Sequence, residues 1–335
     1  MLPGSRTPPH PRPLASRGSW DALPSLTAAL AWGAMFPIAA PALARIDPFH
    51  LTAFRYLVAT AIFVVLLRVV EGRHALRLEG RGLELWALGT AGFAGFNLLV
   101  YVALEHTRPQ DAALIVATSP VLVVLTTWAL GMGRPRAAQL WLTALAFLGV
   151  AIVISHGDPS KLASGPWELV VLAGVIGWVF YTLGARRFPE FSALRYTTLT
   201  AILGTGTVLA ITLGLAASGA IGTPGPGDYA AEWWRLLYVA LPAAVPAVLA
   251  WNEGVRRLGA PNGSLFINLV PVVTFAIAIA QGYRPGTAEL AGAGITVAAL
   301  VGANLAGRGT VTARARARRA RRRRGGAPAH DAPSA

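Results

Sequence analysis

Apolar positions in this chain do not alternate with polar ones. They run on in stretches of about 20 residues, the length that crosses ~30 Å of hydrocarbon as a helix, one after another from Leu23 to Ala306. The runs and their polar breaks predict ten spans: Leu23–Leu43, Leu51–Val70, Leu83–Leu104, Ala112–Leu130, Ala138–Ser155, Trp167–Ala185, Thr197–Ala217, Leu236–Val255, Ser264–Gln281 and Thr287–Ala306. A membrane β-barrel would show period-two alternation along each strand, which these runs lack. With no water in a bilayer core to satisfy backbone groups, helices remain. The expectation is an all-α integral membrane protein without a soluble domain.

The pattern also repeats. "IVATSPVLVVLTTWALG" from Ile115 and "FINLVPVVTFAIAIAQG" from Phe266 each place a proline inside an apolar run, and a shift of 151 positions lays Pro271 on Pro120, Leu265 on Leu114, Val272 on Val121 and Gly282 on Gly131. "AWGAMF" around Trp32 aligns with "GWVFYT" around Trp178, and "AFRY" at Ala53 with "ALRY" at Ala193. The landmarks keep their order, so the chain divides into two copies of a five-helix unit, residues 23–155 and 167–306, between an N-terminal tail (1–22) and a C-terminal tail (307–335). An odd number of spans per copy turns the second upside down.

Charge offers an independent check, because basic residues concentrate in cytoplasmic loops. With the N-terminus inside, the loop after the second span carries Arg68, Arg73, Arg77 and Arg81, whereas its outside counterpart "SGAIGTPGPGDYAAE" carries none. Arg45 on the outside faces Arg186 and Arg187 in the equivalent inside loop, and Arg108 faces Arg256 and Arg257. Of 29 basic residues this layout puts 23 inside, 5 outside and Arg55 within a span; the loops alone give 11 inside. Both termini are predicted to be cytoplasmic, in an inverted repeat of the kind found in secondary transporters.

Composition agrees: 54% of residues are hydrophobic and 13% charged, about half the charge of a soluble domain. The chain has no cysteine, which removes disulfides and thiolate chemistry. His10, His50, His74, His106, His156 and His330 show no metal-ligand spacing, so neither metal nor cofactor is expected. Arg6, Arg12 and Arg17 before an apolar run ending in "ALA" resemble a signal peptide, but that run exceeds the ~7–15 residues of a signal core. Many arginines beside almost no lysine suggest a GC-rich bacterium and a multi-pass protein of its plasma membrane.

"WGAMFP", "AFRYLVATAI", "YVALEHTRPQDAALIVATSPVLVVL" and "RRLGAPNGSLFINLVPVVTF" resemble the EamA family of the drug/metabolite transporter superfamily, with "GVAIVIS" and "GAGITVAALVG" like the closing helix of each repeat. The resemblance covers Leu23 to Ala306 and implies ten helices in two inverted five-helix repeats. It also implies transport of a small metabolite or drug-like compound, outward, in exchange for protons. Members usually end the fourth and ninth spans with Leu-Gly-Glu; here Met132 and Tyr283 stand in place of the glutamates, so no role of those acids carries over.

Pro120 and Pro271 cannot donate to the carbonyls of Val116 and Ile267, which leaves two acceptors at membrane depth. A cavity or hinge at each is expected, against the alternative of a static kink. Asn97, Tyr101, Asn252 and Asn268, with Trp32, Tyr56, Trp178 and Tyr181, are the candidate substrate contacts; helix-to-helix glue and interfacial anchoring compete with that role. Arg55 stands two turns into the second span, where snorkelling or anchoring is favoured over contact with an anionic substrate. For ion coupling the acids near membrane depth are Glu105, Asp111 and Glu253, each with an arginine three or four residues away: Arg108 for the first two, Arg257 for the third.

Ala298, Gly302 and Ala306 form a small-residue stripe that suits a homodimer, and Gly89, Gly92 and Gly95 a groove for a neighbouring helix. The Arg-rich tail 314–324 should lie on anionic lipid rather than nucleic acid, and residues before Ser19 read as disordered. No catalytic constellation is apparent. A transporter is therefore expected rather than an enzyme, and a non-transporting membrane scaffold or receptor is the alternative.

Overall fold

The computed structural model describes residues 22–131, 137–158, 166–258 and 263–302. The two tails, Met132, the Arg-rich segment and Ala306 lie outside the described residues. Among those described, all regular structure is helical. Seven helices are long and apolar enough to cross a membrane: α1 (Leu23–Ala42), α2 (Pro48–Val70), α3 (Gly82–Leu104), α4 (Pro109–Ala129), α6 (Trp167–Arg187), α7 (Ala193–Ala217) and α8 (Trp233–Leu258). Three shorter apolar helices complete the set: α5 (Leu140–Ile154), α9 (Phe266–Ala280) and α10 (Thr287–Gly302). The loop before α8 adds a short helix, Pro226–Ala231, that the apolar pattern did not announce.

Local chemistry sets several helix starts. The Asp47 carboxylate accepts from the N–H groups of Phe49 and His50, and Pro48 occupies the first turn of α2, where no N–H is needed. Ser192 caps α7 by accepting from Arg195 N–H at 2.9 Å. Large apolar side chains such as Val69, Leu83 and Trp141 point outward, while Arg55, Asn97 and five threonines of α7 are buried. That distribution suits an apolar solvent.

The sequence marks disturbed bonding at Pro120 and Pro271 alone, and four spans are interrupted. In α3, Thr90–Gly95 widens into a π-turn; α8 breaks between the helices Trp233–Ala240 and Val245–Leu258. The 151-residue shift carries 90–95 onto 241–246, so the two interruptions correspond. In α4, the helix Pro109–Val116 stops and resumes at Ser119, while α9 changes from a 3-10 turn, Ser264–Asn268, to α-helix at Leu269. Those positions correspond too. Prolines at 242 and 246 remove two donors from the α8 break, and glycines at 89, 92 and 95 loosen α3.

Packing follows the repeat. α2 lies on α7, α3 on α6, α1 on α8 and α9, and α4 on α6 and α9. Exchanging each helix for its counterpart five places on turns α3–α6 into α8–α1 and α1–α9 into α6–α4, and leaves α2–α7 unchanged. α3 also crosses α7 at Gly89 and Gly204, where a Cβ on either would strike the other's backbone. α5 meets α10 at Gly149, whose Cβ would sit 2.7 Å from Gly292 O. A Cβ added at Gly302 of the small-residue stripe would lie 3.3 Å from Leu142 of α5, inside the same chain, while Ala298 is exposed.

Candidate functional site: a central cavity

Seven segments meet at a cavity near the middle of the bundle. Trp32, Met35 and Phe36 come from α1, Arg55 and Tyr56 from α2, Phe96 and Asn97 from α3, Val116 from α4, Trp178 from α6, Val248 from α8 and Ile267 from the turn opening α9. Both halves contribute. The room for the centre of a water molecule is only about 20 Å³, enough for roughly one water. The walls are largely aromatic: the Trp32 ring packs edge-on to Trp178 at 5.4 Å and lies 5.5 Å from Trp251, and Phe96 lies 5.4 Å from Trp178.

Arg55 does not snorkel; of the two roles favoured from sequence, its bonds to α3 and α8 fit helix anchoring. It is 2% exposed and lines the cavity. One terminal nitrogen donates to Asn97 Oδ1 at 2.7 Å and Tyr101 Oη at 2.9 Å, the other to the Ala243 carbonyl at 3.0 Å. Trp32 Nε1 donates to the same carbonyl at 2.9 Å, so the α8 break supplies an acceptor that an unbroken helix would use internally. Asn97 is held in turn by its own donation to Phe93 O at 3.0 Å, within the π-turn. Arg195, the counterpart by alignment, anchors a loop instead: it donates to the carbonyls of Ala75 and Arg77 and pairs with Glu79 at 2.5 Å.

The predicted contacts divide into groups. Trp32, Tyr56, Asn97 and Trp178 line the cavity, and Tyr101 stands behind Arg55. Pro120 and Pro271 are buried without lining it; the residues four earlier, Val116 and Ile267, line it. The freed Val116 carbonyl is not orphaned, because Ser119 Oγ donates to it. Asn268 is buried and its side-chain amide has no partner among the described residues. Sequence reasoning missed Phe36, Phe96, Val248 and the Ala243 carbonyl; the prolines at 242 and 246 were the available signal.

Tyr181 and Asn252 belong to a second group, outside the central cavity. Asn252 Nδ2 donates to Tyr181 Oη and to Thr197 Oγ1, both at 2.7 Å. Asn252 also lines a wider opening, with Thr182, Ala185, Arg186, Phe191, Tyr196 and Arg256 among its walls. That vestibule offers about 360 Å³ on the measure that gives the cavity 20 Å³. The Tyr181 ring bridges the two, 5.0 Å from Trp178 and 5.2 Å from Tyr196.

The three acids lie nearer the helix ends. Glu253 is held between Arg256 at 2.7 Å and Arg257 at 2.5 Å. Asp111, 4% exposed, takes both Arg108 bonds at 2.8 Å, but Glu105 is exposed and Arg108 turns instead to Glu289 at 2.6 Å and Tyr283 Oη at 2.9 Å. Burial opposes the Arg108 charge, yet the bonds and charge of Asp111, and the bond to Glu289, outweigh it and hold the guanidinium pKa above its ordinary value. Burial and the hydrogen bond to Glu289 push the Tyr283 phenol up to about 12. Tyr283 therefore joins a carboxylate of the next helix. Among the described residues no cluster of His, Asp and Glu is placed to hold a metal.

The profile of the EamA-like transporter family matches this chain twice, over residues 20–155 and 165–305. An uncharacterized transporter of Bacillus subtilis (strain 168), YrdR, is 33% identical over 287 residues, covering 84% of this chain and 89% of that protein. The aromatic amino acid exporter YddG of Ancylobacter novellus is 24% identical over 82% of this chain and 92% of its own length. A probable terminal-alkyne amino-acid exporter of Streptantibioticus cattleyicolor is 24% identical over 81% and 88%. One solved structure superposes with a TM-score of 0.63 at 22% identity, covering 86% of this chain and 98% of its own, a likeness of fold alone.

Proposed function

The chain belongs to the EamA-like transporter family, and from that premise we propose a secondary transporter that moves a small metabolite or drug-like compound through the central cavity by alternating access, outward, in exchange for protons. In this reading the protein has ten membrane helices in two inverted repeats, with both termini in the cytoplasm of a bacterium. The observation that carries it is the cavity itself: it sits between the halves and is lined at Val116 and Ile267, the positions whose helical bonding the two matched prolines disturb. Interrupted helices at a repeat interface are where such transporters bind their cargo.

On the charge-based orientation, the vestibule at Arg186 and Arg256 opens to the cytoplasm, and Tyr181 with Asn252 forms the gate between it and the cavity. Cargo would enter from that side, and separation of Tyr181 from Asn252 would admit it. Proton exchange needs a carboxylate that loads and unloads; Glu253, Glu105 and Asp111 are the groups to test. Two relatives bear names of amino-acid exporters, so amino acids head the compounds to try.

The test is proton movement by purified protein in liposomes on adding amino acids, nucleosides and cationic drugs in turn, with Glu253→Gln and Asp111→Asn alongside. Substrate-dependent proton flux that one substitution removes supports the antiporter and names its coupling group. Labelled uptake without proton flux would leave transport standing and defeat the coupling; background with every compound would favour a non-transporting scaffold.

A further inference from the structure

Arg55 differs from five other arginines of the structure in its company. Arg81, Arg108, Arg195, Arg235 and Arg256 each meet a carboxylate. Arg55 meets none among the described residues: its partners are an amide oxygen, a phenol and a backbone carbonyl. Its Nε–H is buried without an acceptor among the described residues. Tyr56 and Tyr101 rings lie 5.0 and 6.0 Å from the guanidinium carbon, which softens the charge without neutralising it. A buried, unneutralised cation is strongly disfavoured unless something pairs with it, and here it lies on the wall of a cavity.

We infer that, when this cavity widens beyond its present one-water volume, it takes a cargo whose carboxylate pairs with Arg55 and whose aromatic or other apolar body lies against Trp32, Phe36, Phe96 and Trp178. This rests on the transporter reading above and adds the substrate class to it. Among the described residues none that lines the cavity is acidic, so they offer no carboxylate for a cationic drug. A phosphate dianion is a poor match as well, because among the described residues Arg55 is the only cation in the lining and three of its five donors are already engaged. Two open N–H groups on one cation, Nε–H and one on the nitrogen that bonds Ala243, fit a singly charged carboxylate. The aromatic walls supply area rather than charge, which is how most ligand cavities divide the work.

The experiment compares four probes that share an indole: tryptophan, indole-3-acetate, tryptamine and indole-3-acetamide. Equilibrium binding to detergent-solubilised protein is measured by titration calorimetry, and flux in liposomes separately. At least one carboxylate should bind tenfold or more tightly than the amine and the amide, and Arg55→Gln should remove that preference while Arg55→Lys keeps part of it. Equal binding of tryptamine or the amide, an unchanged preference in folded Arg55→Gln, or no binding of either carboxylate overturns the inference. Should Arg55→Gln fail to fold, Val116→Cys in this cysteine-free chain replaces it: the carboxylates, and neither neutral nor cationic analogue, should slow its reaction with a thiol reagent. Carboxylate-selective binding without flux would spare the inference and defeat the transport reading. Flux of tryptamine without flux of the carboxylates would do the reverse.

Discussion

Adding one methyl group at Gly204 should separate α7 from α3. An ideal Cβ at Gly204 would lie 2.8 Å from the Gly89 carbonyl carbon and 3.0 Å from Phe93 Cβ, where carbon atoms settle at about 3.5 Å or more. The first contact is short by about 0.7 Å, and the obstacle is backbone, which no rotamer change can move. Separating the helices by that amount forfeits a quarter to a half of each contact along the crossing. Overpacking of this kind costs about 1–3 kcal/mol. Gly206→Ala is the control: it sits on the same helix, nothing lies within 4 Å of its added Cβ, and helix propensity should leave it neutral or about 1 kcal/mol more stable. Reversible unfolding by SDS in mixed micelles reads the difference. Because Phe93 and the π-turn position Asn97, Gly204→Ala should also weaken cargo binding. Equal stability of the two variants would refute the close-approach argument.

Three further outcomes follow from other parts of the molecule. Ser119→Ala leaves the Val116 carbonyl without its hydroxyl donor and should lose about 1–3 kcal/mol; adding Pro120→Ala, which restores an N–H, should recover part of it, and no loss in the single variant would show that the carbonyl finds another donor. A tyrosine titrating at about 12, absent in Tyr283→Phe, should appear in the alkaline absorbance titration. Since that pKa is raised, the phenol's contribution to stability should be complete below about pH 10, its ordinary value, and fade as pH rises through 12; a Tyr283 that titrates near 10 contradicts the half-buried bond to Glu289. Ala185→Cys, on the vestibule wall, should react with a membrane-impermeant thiol reagent from the cytoplasmic face alone, and labelling from the opposite face would reverse the assigned orientation.

Much of this molecule is one-dimensional information. Run length announces helices in a bilayer, because the solvent leaves the backbone no alternative, and the 151-residue echo announces two copies; the main helix pairings, which map onto one another when the copies are exchanged, are the same statement in contacts. The matched prolines pointed to Val116 and Ile267, which do line the cavity. For Arg55 the sequence left snorkelling and anchoring open, because hydropathy assigns a cost to a charge by its depth, and whether that charge faces lipid or a cavity depends on which side chains surround it. Those partners come from 42, 46 and 188 residues away. The same holds for Glu289 and Tyr283, which reach Arg108 across more than 170 residues of chain, and for Tyr181 and Asn252, placed in one group with Tyr56 by residue type but parted from it by packing. Sequence by itself determined the solvent, the helices and the repeat, since each is a property of local composition and order. Tertiary structure alone decided which polar groups meet, because hydrogen bonds between helices depend on rotation and crossing, and neither is encoded in spacing along the chain.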